Sequence, residues 1–437
     1  MKQTTVDIIR NGLAELLAEF EHNPPSMEGH WVRSRRADGA WQGSVLERPS
    51  IASLFLTHRQ LVERLTKSIG DVLVADYPDH VRRVGIANTT GVLQPHMVLF
   101  GLTTEAFKRF GSWSLNDDQI NSLAVEAGAF FTKTHVSLRL LSPAINVAGS
   151  ARMPISFPGG VVLRPITDEE ATEIYGGSPW AFAPLQSLHW PNFVFSKEIR
   201  VALVVGGSFD DAPARSLWEE HVPTLNRCIM ALCTFKHSGP VMFDGIYVKA
   251  IDLLFGVGAG SFYGFMDRIL PGAYEIGPDE VGPLSEYATR FEYIHSSLEY
   301  ASQRLVDASL RANPRDAIVD AVIGLESILL NDVGEKNRGE NRFRFSLNYA
   351  SLCPPSERRS GFLIARNLYD LRSKIVHGGQ PDSALLPNAA ADARKALQKT
   401  LHGFSASLEK PGFLEQNFWL NRILPMLPDA ASPFHPK

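Results

Sequence analysis

From residue 284 to about residue 410 apolar residues return at helical spacing, and no run in that third of the chain reads as a strand. Gly277-Pro278 and Gly282-Pro283 mark the change of character. Such a segment can bury its apolar positions only by packing helix on helix. The spacing predicts one long helix over Ser285–Ala312, with Phe291, Ile294, Leu298, Ala301, Leu305 and Ala308 in register. Asn313-Pro314 ends it and opens the next, with Asn313 as N-cap and Pro314 at the first helical position. That helix carries Ile318, Ala321, Val322, Leu325, Ile328 and Leu329. A polar loop, Asp332–Asn341, leads to a helix over Arg342–Leu352, and Pro354-Pro355 punctuates before another over Phe362–Gly379. A final helix is expected over Asn388–Leu408.

The first 283 residues mix both periods. Helices are expected over 4–21, 51–75, Asp117–Phe131 and Leu217–Phe235. A hairpin or loop pair is expected over Gly29–Pro49. Strands are expected over Arg83–Ala87, Gln94–Leu102, His135–Leu141, Val161–Arg164 and Phe193–Val205, and Ile246–Phe255 reads as strand or buried helix. Thr167 stands three residues before Glu170, a capping-box signature, in a helix expected to end at Gly176-Gly177. Without a steady β-α-β beat the class is α+β rather than a doubly wound sheet. The expected organisation is a mixed α/β domain over 1–283, an all-α bundle over 284–410 and a loosely held tail over 411–437, whose last fourteen residues hold four prolines.

A net charge of −4 gives no global basic field, so nucleic-acid contact needs a local patch. Residues 336–374 supply one: nine Lys/Arg (Lys336, Arg338, Arg342, Arg344, Arg358, Arg359, Arg366, Arg372, Lys374) against Glu340, Glu357 and Asp370, a local excess of +6. The plain reading is a solvated helix surface with Arg366–Asp370 and Asp370–Lys374 as i,i+4 pairs. Three cysteines, Cys228, Cys233 and Cys353, are too scattered for a disulfide framework, which makes the reducing cytoplasm the expected compartment. The N-terminus lacks an apolar h-region, and no apolar run approaches the ~20 residues that span a bilayer.

The richest stretch is FLIARNLYDLRSKIVHGG, residues 362–379. Ile364, Leu368, Leu371 and Ile375 form one helical stripe, and Gly378-Gly379 supplies the left-handed end. A second stripe, Phe362, Ala365, Tyr369 and Val376, is interrupted by Arg372, and His377 follows five residues later. A ribonuclease working without metal needs a base for the 2′-hydroxyl proton and a cation for the charge developing on phosphorus. Histidine suits the first role and arginine the second. Five residues rotate two side chains apart by roughly 140° at 3.6 residues per turn. One Arg372/His377 pair is therefore a poor pincer, whereas two copies facing across a dimer make a better one. The plain alternative is an arginine and a histidine stabilised at a helix C-terminus by the helix dipole.

Three pieces of the C-terminal third, AVIGLESILL (residues 321–330), Arg342-Phe343-Arg344 and LYDLRSKIVHGG (residues 368–379), resemble the HEPN superfamily, specifically its ApeA-like branch. The resemblance covers roughly residues 285–410. It implies a metal-independent endoribonuclease with no cofactor, whose R-x4-H active site is shared across a homodimer. Arg372 would hold phosphate and His377 would act as general acid and base. Glu326 and Ser373 would support them, and Arg342, Arg344, Arg366 and Lys374 would contact RNA. The N-terminal domain would sense a phage-derived or nucleotide trigger, or restrain the nuclease, in antiphage defence or a toxin system. Many active members carry Asn, Asp or His after the arginine, where this chain has Ser373. The alternative implication is a catalytically inactive module for dimerisation and RNA or nucleotide binding. For Glu326 two readings stand, a water-facing carboxylate and a buried partner of Arg372.

Elsewhere, His221, Cys228, Cys233 and His237 invite a zinc reading, but the two cysteines are five apart on an apolar helix and read as buried apolar residues. The glycines at 256, 258 and 260 fit a dinucleotide loop only loosely and read as a turn, and His189-Trp190-Pro191 has no visible chemical partner.

Overall fold

The computed structural model describes residues 3–24, 27–35, 41–49, 56–76, 82–86, 89–92, 95–149, 153–175, 191–202, 204–205, 213–251, 259–261, 272–331, 340–410, 412–415, 417–423 and 425. Lys336, Arg338, the glycines at 176, 177, 256 and 258, His189, Trp190 and nearly all of the proline-rich tail lie outside them. The class is α+β, and the chain forms two compact units. The first comprises 1–143, 164–223 and 243–267, and the second 144–163, 224–242 and 268–437. Residue 284 thus lies inside the second unit.

In the first unit helices α1 (Gln3–His22), α2 (Arg59–Asp76), α3 (Pro95–Phe110) and α4 (Asp117–Phe130) pack through Ile9, Leu13, Leu16, Leu65, Ile69 and Leu123. Strands Met27–Arg35 and Trp41–Pro49 form the antiparallel hairpin expected there. Ala259–Ser261, Ile246–Ala250, His135–Ile145 and Phe193–Ala202 are hydrogen-bonded neighbours in that order, and Tyr247 faces Leu141 in an antiparallel register. The expected strand Phe193–Val205 divides: Val204–Val205 pairs instead with Arg82–Arg83 in a second sheet.

Helix α5 (Asp168–Tyr175) starts with the expected box: Glu170 N donates to Thr167 Oγ1, and Thr167 N to Glu170 Oε2, both at 3.2 Å. Burial pushes the Glu170 carboxyl up. The bidentate Arg164 guanidinium and the Thr167 bonds outweigh it and hold the group below its ordinary range.

The strand expected over Gln94–Leu102 is instead the first half of α3. Val98, Leu99, Leu102 and Ala106 are buried at helical intervals, and Pro95 occupies the first turn, where its missing N–H costs nothing. Read in isolation, the short apolar run there fits either element.

Helix α6 (Pro213–Phe235) contains Pro223, and the division between the units falls directly after it. In the second unit, strands Val147–Gly149 and Tyr274–Ile276 pair in parallel and Ile155–Phe157 pairs with 161–163. The helices are α7 (Val281–Thr289), α8 (Ser296–Leu310), α9 (Pro314–Leu329), α10 (Asn341–Leu352), α11 (Arg358–Val376), α12 (Leu386–Gly403) and α13 (Phe418–Ile423). No strand lies among the described residues after Ile276.

The single helix expected over Ser285–Ala312 is two, α7 and α8. His295 breaks it in extended geometry: its N–H donates to Leu408 O (2.7 Å) and its ring nitrogen accepts from Ser297 N (3.2 Å). Phe291 and Ile294 stay buried through the break, so the apolar register conceals it. Asn313 caps α9 as expected, accepting from Arg315 N at 3.0 Å.

At the bundle centre α8, α9 and α12 meet at Gly324, where a Cβ would come within 2.7 Å of Leu397 and 3.1 Å of the Arg304 Cβ. The α10–α11 hairpin packs on α9, with Phe345 fully buried. No helix among the described residues is long and apolar enough to cross a membrane.

Candidate functional site

Helix α11 buries Gly361, Ala365 and Leu368. At 3.6 residues per turn Arg372 continues that row, four residues beyond Leu368 and eleven beyond Gly361. The buried row draws on both stripes, Leu368 from the first and Ala365 from the second, and the arginine continues it, while Ile364 of the first stripe is 42% exposed. A cation therefore sits at the C-terminal end of the helix face that packs against protein, where a partly buried charge without a partner is unfavourable.

Glu326 on α9 answers it. Arg372 Nη2 lies 3.3 Å from Glu326 Oε2, and the two side chains are 26% and 20% exposed. Of the two readings of Glu326, the geometry is that of the partner. Burial pushes the Glu326 carboxyl above its ordinary pKa, and the Arg372 charge offsets only part of that rise. Tyr369, one turn back on α11, is raised by its own burial first and then by Glu326, and its ring lies 5.4 Å from that of Phe345. The Arg372 Nε is buried with no hydrogen-bond partner among the described residues, so part of the guanidinium fork is unspent.

His377 is the C-cap of α11 (φ −85°, ψ 17°), and its side chain is exposed. Gly378 at φ 79° and the bonds Gly379 N to Lys374 O (2.8 Å) and Gly378 N to Ile375 O (3.1 Å) form a Schellman ending. Arg315, from the start of α9, donates to Gly379 O at 3.1 Å and ties down the chain that leaves the histidine. Within one chain, then, Arg372 turns inward and His377 outward, as their spacing requires. Ser373 is half-buried between them, and its carbonyl accepts the His377 N–H at 3.0 Å.

The expected RNA-contacting residues divide. Arg366 and Lys374 are exposed, and Arg344 is half-buried and engaged with other groups. Asp370 pairs with neither Arg366 nor Lys374. Arg342 takes it across the α10–α11 hairpin, with Nε 3.1 Å from Oδ1. Arg342 and Arg366 also line a groove of about 660 Å³ with Glu340, Phe343, Ser346 and Phe362. Sequence reasoning missed this groove and the role of Arg315. The first had a signal in Phe343, an aromatic residue between two arginines, and the second had none.

His221, Cys228, Cys233 and His237 form no metal site, and among the described residues no three His, Cys, Asp or Glu side chains gather to hold an ion. Cys228 and Cys233 are buried, and burial raises the Cys233 thiol to about 12. No family model, curated protein or solved structure matches this chain.

Proposed function

We propose that the second unit is a HEPN-type, metal-independent endoribonuclease whose R-x4-H site, Arg372 and His377, is completed by a second copy of the chain. The observation that carries this reading is the placement of Arg372. A phosphate-binding cation needs a rigid, partly dry seat and a carboxylate to aim it, and the seat of Arg372 is of that kind. Glu326 supplies that carboxylate, with its Oε2 3.3 Å from Arg372 Nη2.

In the proposed reaction the RNA 2′-oxygen attacks the adjacent phosphorus. The 2′-O–P bond forms as the P–O5′ bond breaks, giving a 2′,3′-cyclic phosphate and a 5′-hydroxyl. One imidazole takes the 2′-hydroxyl proton and a second, as imidazolium, protonates the departing 5′-oxygen, so two copies of His377 would serve where one cannot. Arg372 would neutralise charge on the non-bridging oxygens. The exposed Ile364 and Val376 (42% and 52%) on α11 support a dimer through this helix. The proposed biology remains antiphage defence or a toxin system, with the first unit sensing a phage-derived or nucleotide trigger in the cytoplasm.

A second reading, an inactive module for dimerisation and RNA or nucleotide binding, is favoured by the Arg372–Glu326 pair itself, since a satisfied arginine can serve as structure alone. RNA cleavage in EDTA by the wild type, Arg372→Lys, Arg372→Ala and His377→Ala separates the two. The nuclease reading expects activity in the wild type and losses of about 100-fold or more in both alanine variants. Cleavage that survives both removes it. A folded wild type that binds RNA and never cuts it, with or without phage lysate, selects the second.

A further inference from the structure

The groove between α10 and α11 carries chemistry that the Arg372/His377 pair does not use. The Phe343 ring is 54% exposed, and it meets Phe362 edge to face at 5.9 Å. Arg366 beside it is exposed and makes no ion pair among the described residues. Arg342 is anchored by Asp370, which holds its guanidinium at the groove wall, and Glu340 is the acidic residue of the lining.

The position of this groove on α11 connects it to His377. Eleven residues at 3.6 per turn bring a helix back to within about 20° of its starting direction, so Arg366 and His377 project from the same side, roughly 16 Å apart along the axis. Arg359 lies on that side too, eighteen residues or five whole turns before His377, and it is exposed. Ser373, seven residues after Arg366, falls between them, and so does the exposed Asp370, whose carboxylate is paired with Arg342. One face of α11 thus runs from arginine through an aromatic groove to the histidine.

We infer that this face is a track for single-stranded RNA: a base stacks on Phe343, backbone phosphates meet Arg366 and Arg359, and the strand a few nucleotides on reaches His377. An exposed ring beside arginines is the arrangement that binds unpaired bases without demanding a sequence. A duplex hides its base faces, so the track selects single strands. The inference rests on the nuclease reading for its direction, but the binding it describes is measurable without cleavage.

The test is fluorescence anisotropy of a short labelled single-stranded RNA with full-length His377→Ala, which leaves the probe intact. In that background Phe343→Ala is expected to weaken binding about tenfold and Phe343→Trp to retain it. Arg366→Ala is expected to lower the slope of log affinity against log salt by about one, and double-stranded RNA to bind more weakly than the single strand. Equal affinity for the parent, Phe343→Ala and Arg366→Ala proteins, or no RNA binding at all, overturns the track. So does a preference for an acidic peptide over RNA of equal charge. If Phe343 and Arg366 govern binding while the wild type never cuts RNA, the track stands and the nuclease reading falls. If the wild type cuts and the substitutions leave binding unchanged, the reverse holds.

Discussion

Arg372 on α11 and Glu326 on α9 form an ion pair at 3.3 Å within the packed face of the second unit, and each side chain keeps about a quarter or less of its surface exposed. The pair has consequences for activity and for acid stability. If Glu326 aims the guanidinium, Glu326→Gln should lower the RNA-cleavage rate constant about 10-fold to 100-fold while leaving substrate affinity nearly unchanged. A KM-against-kcat comparison reads this. A fall in affinity alone would make Glu326 a scaffold residue.

The same carboxyl is raised by burial above its unfolded value, with Arg372 offsetting only part of the rise. Between the unfolded and folded pKa the native state binds the extra proton, so this group's contribution to stability falls as pH rises through that window. Glu326→Gln should remove the slope. Arg372→Ala removes the offset and should move the window to higher pH. Thermal unfolding across the acid range, wild type against each variant, tests both signs.

His221 gives the opposite slope in the first unit. It is 3% exposed, neither ring nitrogen has a hydrogen-bond partner among the described residues, and burial, then the Lys197 charge, lowers its pKa to about 4. The unfolded chain takes the proton near the ordinary 6.5, so stability is complete above that value and drains as pH falls towards 4. The full loss is about 3 kcal/mol. His221→Leu should flatten the unfolding midpoint of the first unit over this range. An unchanged slope would show that other groups set it.

At the end of α11, Gly378 holds φ 79° with open space around its α-carbon, so Gly378→Ala meets backbone strain and no clash. The expected cost is about 1 to 2 kcal/mol, read by urea unfolding. His377 is the residue displaced when that ending loosens, so cleavage should drop further than global stability does.

Ile364 and Val376 flank the packed row of the same helix, 42% and 52% exposed. Ile364→Asp should leave the fold intact, shift sedimentation from dimer towards monomer, and abolish cleavage with it. A monomeric wild type of full activity would refute the shared site.

The sequence reached α9 closely, because Asn313, Pro314 and the apolar rows after them act locally, through a cap, a fixed φ and a helical repeat. It reached the Thr167–Glu170 box for the same reason. It failed at Gln94–Leu102, whose apolar run fits two periods until its neighbours are in place, and at His295, whose break is set by Leu408 far along the chain.

For the candidate site the division is similar. Spacing alone determined that Arg372 and His377 cannot converge within one helix, since the angle between them is a property of the helix itself. It also determined the glycine ending that displays the histidine. Which residues of α11 turn inward, that Arg372 rather than Ile364 is among them, that Glu326 meets the cation and Arg342 captures Asp370, were decided only in the tertiary structure. Both stripes carry apolar surface, and which members of each are buried depends on the shapes and charges that α9 and α10 present, which no residue of α11 encodes.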